Sequence, residues 1–275
     1  MLSSVKPVIE NPRSPRVRAV AKLAKKSRRK EAGMFLVEGP QAVRELLQFW
    51  PERVIDVFLT DRASTKHPEL ATLATEAGVV VEPATDQVLE QMADTQTPQG
   101  VVAVAAIPLV SVDDALGEKP TLVVVLDEVR DPGNVGAIIR VADAVGADAV
   151  VFVGDCVDAY NPKVVRATTG SLFHLPVVSV PEMADAVDAL RSRAVQVFAA
   201  DMGGESLPII PQSVLAQPTA WIFGNEAHGV DPASVALADK TVSLPQYGQV
   251  ESLNISTAAA VCLYQSAFAM KSPDA

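Results

Sequence analysis

Apolar positions along the chain alternate between two spacings, one typical of strands and one of helices. Short continuous apolar runs, bounded by Gly, Pro or polar residues, read as buried strands. They fall at 35–37, 54–59, 79–81, 101–107, 121–126, 149–153, 177–180, 195–199, 220–223 and 242–244. Helical spacing fills the gaps. Val43, Leu46 and Leu47 follow Gly39-Pro40, and Val135, Ile138, Ile139, Ala142 and Val145 line one face before Gly146. Further helices are predicted over 68–77, 85–92, 162–170 and 181–193. One over 16–30 would carry Val17, Val20, Ala21 and Ala24 on one side and bases on the other. A nearly all-apolar stretch, 255–270, predicts a long buried helix. Asn254 is placed to cap its first turn. Strands alternating with helices make this an α/β protein.

The alternation pauses once. Residues 108–120 hold Ser111, Asp113, Asp114, Gly117 and Glu118 between prolines, and read as a linker. It separates a small α/β domain, 1–107, from a larger one, 121–275. Residues 1–14 lack periodicity and read as a flexible lead. A chain of 275 residues is long enough for two domains, and 49% hydrophobic content can fill both cores. No apolar run reaches bilayer length and no apolar leader opens the chain, so a cytoplasmic protein without a membrane segment is the expectation. Cys156 and Cys262 sit in apolar settings, so buried thiols are expected rather than a disulfide or a zinc site. His67, His174 and His228 read as structural or exposed residues, and no metal-ligand cluster is apparent.

Charge changes the picture. The net charge of −10 argues against nucleic acid, but its distribution argues for it. Residues 11–30 hold no acid and nine of the 23 bases, including Arg16, Arg18, Arg28, Arg29 and Lys30. The rest of the chain has 14 bases against 33 acids. A basic arm on an acidic body suits contact with a polyanion, although a solvated helix end has the same composition. Aromatic content of 5% makes broad base stacking a poor recognition device here.

Three stretches carry candidate chemistry. Asp131-Pro132-Gly133-Asn134 opens a helix on which Gly136, Arg140 and Asp143 share a side. The strand ending at Phe223 meets Gly224-Asn225-Glu226-Ala227-His228-Gly229, where glycines permit close backbone approach and a carboxylate can accept hydrogen bonds. The strand ending at Leu244-Pro245 opens a loop that closes at Ser252-Leu253-Asn254. Each alone also reads as ordinary local structure: a capped turn, a strand exit, a helix cap. Ligands in open α/β sheets sit where strand ends and loops converge, which puts a candidate site at the second and third stretches.

Together, DPGNVGAIIR, IFGNEAHG and LPQYGQVESLNIS resemble, in order and spacing, the three motifs of the SpoU (TrmH-type) RNA 2′-O-ribose methyltransferases of the SPOUT superfamily. The resemblance covers about 122–270, and the first domain looks like the substrate-binding domain of the ribosomal RNA enzymes. It implies a parallel sheet with a C-terminal trefoil knot, a homodimer, S-adenosylmethionine (SAM) as cofactor and RNA as partner. SAM would lie against Phe223, Gly224, Leu244, Pro245 and Leu253. Arg140, reaching in from the other protomer, would act on the target ribose, with Asn134, Glu226, Ser252 and Asn254 shaping the site. Gln246 and Thr257 depart from the family's usual apolar residues. The implied reaction is methyl transfer to a ribose 2′-hydroxyl, most naturally of ribosomal RNA. The alternatives are a transfer RNA substrate or a catalytically silent RNA-binding module. A dinucleotide oxidoreductase is disfavoured, because no G-x-G-x-x-G follows the first strand of the second domain.

Overall fold

The computed structural model describes residues 7–271, and these form two compact units. One runs to Leu109 and takes in Asp158–Phe173; the other comprises Val110–Val157 and the residues from His174 on.

The first unit contains α1 (Pro15–Lys22), α2 (Lys26–Ala32), β1 (Met34–Glu38), α3 (Pro40–Phe49), β2 (Val54–Leu59), α4 (Asp61–Lys66), α5 (Glu69–Glu76), β3 (Val81–Pro83), α6 (Asp86–Met92) and β4 (Val101–Ala106). Its sheet has the order β1-β4-β2-β3, antiparallel except for β2 with β3. Val17, Val20 and Leu23 of the basic arm pack with Leu36, Phe58, Val88 and Val102 in one core. The expected flexible lead is corrected for its described part, while residues 1–6 lie outside the described residues. Ile9 donates to Pro83 O (2.8 Å) and accepts from Thr85 N (3.1 Å), tying the chain to β3.

The expected single helix over 16–30 is two helices. The chain turns at Leu23–Lys25 with i to i+3 bonds, and the freed carbonyls of Leu23 and Ala24 accept from Arg29 Nη1 at 2.7 and 2.9 Å. Arg29 is 2% exposed and also bonds Asp158 Oδ2 through Nε (2.8 Å) and Nη2 (2.6 Å). The helix α9 (Pro162–Thr168) and its flanks, which follow the sixth strand in sequence, therefore pack in the first unit. Arg166 bonds Glu38 (3.0 Å) and Asp94 (2.9 Å), and Phe35 meets Tyr160 at 4.8 Å between centroids.

The second unit contains α7 (Val112–Leu116), β5 (Leu122–Asp127), α8 (Pro132–Val145), β6 (Ala149–Val153), β7 (Val177–Val180), α10 (Met183–Arg191), β8 (Gln196–Ser206), α11 (Gln212–Leu215), β9 (Thr219–Phe223), α12 (Pro232–Leu237), β10 (Lys240–Ser243) and α13 (Ile255–Lys271). Its six strands are all parallel, in the order β10-β8-β9-β5-β6-β7. The expected linker holds α7, capped by Ser111 and with Ala115 and Leu116 buried in this unit's core. Strand β8 runs past its apolar start. Thr241 pairs with Ala199, yet Val242 pairs with Glu205, so residues 200–204 bulge out.

Helix α13 is fixed by a buried polar pair. Trp221 Nε1 donates to Ser266 Oγ at 2.9 Å, and neither residue is exposed. The expectation of a fully buried helix is corrected, because Val261, Tyr264 and Phe268 form an exposed apolar stripe. Both cysteines are buried free thiols, raised by that burial to about 11 (Cys156) and about 12 (Cys262).

Removing one partner of a buried ion pair strands the other, typically at about 3–5 kcal/mol. Arg29→Ala is therefore expected to destabilise the first unit by about that much in urea unfolding. Arg28→Ala breaks only the exposed pair with Glu31 and is expected to cost under about 1 kcal/mol.

Candidate functional site

Strand order reverses between β5 and β9, since the chain continues from β5 to β6 on one side and later returns to the other. Such a switch point leaves a crevice at the carboxyl ends of the strands. A cleft of about 570 Å³ opens at the carboxyl ends of β8, β9 and β10, with Asn134 of α8 reaching it from the β5 side, and it is within the usual range for small-molecule sites. The turn after β9, the bulge of β8, the loop after β10 and the start of α13 all line it.

The turn after β9 is closed by Asn225 and Gly229, which exchange N–H···O bonds at 2.8 Å both ways. Gly224 must be glycine, because a Cβ there would overlap the backbone of Gly229 and Val230. Asn225 Nδ2 donates to Glu128 O at 2.8 Å. That bond holds the end of β5 where Glu128 takes a left-handed φ of 52°, a strained backbone for a non-glycine residue.

Glu226 joins this turn to the start of α8. Oε1 accepts from Asp131 N (3.0 Å) and Asn134 Nδ2 (3.2 Å), and Oε2 from Arg130 N (3.3 Å). Asn134 Oδ1 accepts from Asn254 Nδ2 (2.9 Å), and Asn254 Oδ1 accepts from Ser256 N (2.9 Å) and Ser256 Oγ (2.6 Å). One connected polar chain thus joins Asn134 to Glu226 and to Asn254, 92 and 120 positions further along the sequence. Burial alone would raise the Glu226 carboxyl. The N–H donors, its own amide and those of Asn134, Asp131 and Arg130, outweigh that and hold it below the ordinary carboxylate value.

Residues 121–264 match the model of the SpoU rRNA methylase family. The chain belongs to that family. Residues 36–109 match a second model, RNA 2′-O ribose methyltransferase substrate binding. Among similar proteins is the Bacillus subtilis 23S rRNA (guanosine(2553)-2′-O)-methyltransferase RlmP, 35% identical over 93% of this chain and 97% of its own. A 23S rRNA (uridine(2479)-2′-O)-methyltransferase of Streptomyces viridochromogenes is 34% identical over 90% of this chain and 86% of its own. The crystal structure of the SpoU methyltransferase AviRb from Streptomyces viridochromogenes, in complex with the cofactor AdoMet, superposes with a TM-score of 0.81. It is 30% identical and covers 92% of this chain and 98% of its own.

Of the residues singled out in the sequence, Asn134, Phe223, Gly224, Glu226, Leu244, Ser252, Leu253 and Asn254 line the SpoU cleft. Pro245 instead borders an adjoining groove with Leu207, Tyr247 and Val261. Arg140 does not line the cleft; it is exposed on α8, with no ion pair among the described residues. His228 is exposed, as expected, and lines the cleft too. Among the basic-arm residues, Arg18, Arg28 and Lys30 are exposed. Arg29 is corrected, because it is buried and its donors are spent on Asp158 and two carbonyls. Arg16 is also engaged, paired with Glu82 and Asp56 and stacked 5.2 Å from Phe58. The sequence reading missed Asp201 and Met202 of the bulge. The adjacent Gly203-Gly204 was the signal for them: a Cβ on Gly204 would overlap the backbone of Thr241 and Val242.

A carboxylate with a lowered folded pKa stabilises the fold above its ordinary value, and that contribution is lost as pH falls through the lowered one. Glu226→Gln is therefore expected to lower stability at neutral pH and to lessen the loss on acidification below the ordinary 4.5, read as melting temperature against pH. Gly224→Ala is expected to abolish ligand binding in the cleft while the protein remains folded by circular dichroism.

Proposed function

We propose that this chain transfers the methyl group of SAM to a ribose 2′-hydroxyl of ribosomal RNA. The observation that carries the reading is the convergence of the 224–229 turn and the 244–254 loop on one cleft, tied to α8 through Glu226, Asn134 and Asn254. The names of the relatives and the cofactor in the AviRb structure support it.

The cleft suits the cofactor. Phe223, Val242, Leu244, Ile255 and Ala258 give it an apolar wall for a purine, and Gly224 lets a ligand approach the backbone. When bound, SAM supplies an activated methyl group on a sulfonium. The protein's task is then alignment, and positioning of this kind supplies about 7–11 kcal/mol of a barrier. Phe223, Gly224, Leu244 and Leu253 hold the donor, with Pro245 stiffening the loop beside them. Asn134, Ser252 and Asn254 present hydrogen-bonding groups to the acceptor ribose, and Glu226 keeps them in register. Arg140 grips an RNA phosphate or oxyanion bidentately; its guanidinium is too weak an acid to act readily as a base.

The reading includes a C-terminal trefoil knot and a homodimer in which Arg140 serves the partner's site. Its exposed position outside the cleft and the apolar stripe on α13 support this. The first unit is the RNA-binding domain, contacting phosphates through Arg18, Arg28 and Lys30 with the exposed Lys22, Lys25 and Lys26. Arg16 and Arg29 hold that surface in shape. Acting on ribosomal RNA places the protein in the cytoplasm; among the described residues no helix is long and apolar enough to cross a membrane.

A 2′-O-methyl group removes the hydroxyl that alkali uses to cleave RNA. Ribosomal RNA treated with the enzyme and methyl-labelled SAM is expected to keep its label in alkali-resistant dinucleotides; label in mononucleotides, or none, would refute the reaction. Mixing the impaired Arg140→Ala with the impaired Glu226→Gln is expected to raise activity above that of either alone, because a mixed dimer regains one intact site. Neutralising Arg28 and Lys30 is expected to weaken RNA binding and flatten its salt dependence, measured by filter binding, without changing SAM binding.

A further inference from the structure

The cleft of this RNA-modifying protein is lined by no Lys or Arg. It does hold two carboxylates, Glu226 and Asp201. Both oxygens of Glu226 are occupied by the N–H donors of Arg130, Asp131 and Asn134. The next acid along β8, Glu205, lies just past the bulge and pairs with Lys240 at 3.2 Å. Asp201 differs from both. Its Oδ1 accepts from Gly203 N at 3.0 Å, and it has no ion pair among the described residues. Its Oδ2 faces Gly229, 3.3 Å from where a Cβ of that glycine would stand. The bulge thus carries a negative charge with no ion-pair partner among the described residues to the wall of the cleft that Ser252 and Asn254 also line.

We propose that Asp201 makes the cleft select the cationic methyl donor over its neutral demethylated product. The inference rests on the cofactor reading above and adds a residue to it. In the transfer, the sulfur–methyl bond breaks and the oxygen–methyl bond forms. The bonding pair stays on sulfur, which passes from a sulfonium to a neutral thioether, while the hydroxyl proton passes to solvent water. The ligand therefore loses one positive charge at the moment the work is done. Asp201 lines the same cleft as Phe223, Gly224, Leu244 and Leu253, the residues read above as holding the donor, so its charge acts on a cation bound there. The attraction favours entry of the charged donor and weakens as soon as the methyl group has gone, which favours product release.

The test is titration calorimetry of the whole protein and of Asp201→Asn with SAM and with S-adenosylhomocysteine, at low and high salt. Asparagine keeps an oxygen for the Gly203 amide and removes only the charge. The expected result is an approximately tenfold weaker affinity for SAM, with S-adenosylhomocysteine changed less than about twofold. Salt should erode SAM affinity in the wild type and much less in the variant. Equal losses for both ligands would overturn the proposal, since Asp201 would then hold a shared part of the ligand or merely the bulge. Unchanged affinity for both would overturn it as well. A wild-type protein that binds neither ligand would instead overturn the cofactor reading on which this rests.

Discussion

The second unit depends on one carboxylate that gathers three N–H donors from the start of α8. Glu226 leaves the end of β9 and collects the amides of Arg130 and Asp131 together with the side chain of Asn134. A carboxylate can only accept, so this arrangement is complementary as it stands. It fixes the N-terminal turn of α8 against the turn after β9. Asn134 is then held with its oxygen toward Asn254, which positions the start of α13. Without Glu226 the turn after β9 loses its bonds to the start of α8, and Asn134 loses the partner that orients it toward Asn254.

That tie works because the sheet beneath it is rigid and parallel. All six strands deliver their carboxyl ends to one edge, and the reversal of order between β5 and β9 opens the gap that the loops fill. Trp221 and Ser266 lock α13 to β9, so the distance from the buried indole to the cleft is set by helix and strand geometry rather than by loop packing. Glycine at 224 allows the turn to fold back on itself without a side chain in the way. Polar satisfaction and close packing thus point to the same geometry, a consistency expected of a preorganised site.

Much of this was legible in the sequence, for identifiable reasons. The strands of the second unit are continuous apolar runs with clear stops, so 149–153 and 177–180 read directly as β6 and β7. Asn134, Glu226, Ser252 and Asn254 stood out because each lies in a short polar segment at the end of an apolar one. What was not legible depends on partners far away in sequence. Nothing local distinguishes Arg29 from Arg28, yet Asp158 turns one into a buried brace and leaves the other in solvent. The same long-range bonding draws Asp158–Phe173 into the first unit. Asp201 was missed because β8 loses its apolar character at Ala199 and was read as ending there. The exposed stripe on α13 was missed because an all-apolar helix gives no sign of which face is covered.

The central claim is that turn, helix start and loop act as one unit in methyl transfer. A double-mutant cycle with Glu226→Gln and Asn254→Ala, read as the rate of labelled methyl incorporation into ribosomal RNA, tests it most directly. Because both act through Asn134, the double variant should be scarcely slower than the worse single variant. If the two losses simply multiplied, the residues would be acting independently, and the single connected site described for this chain would be contradicted.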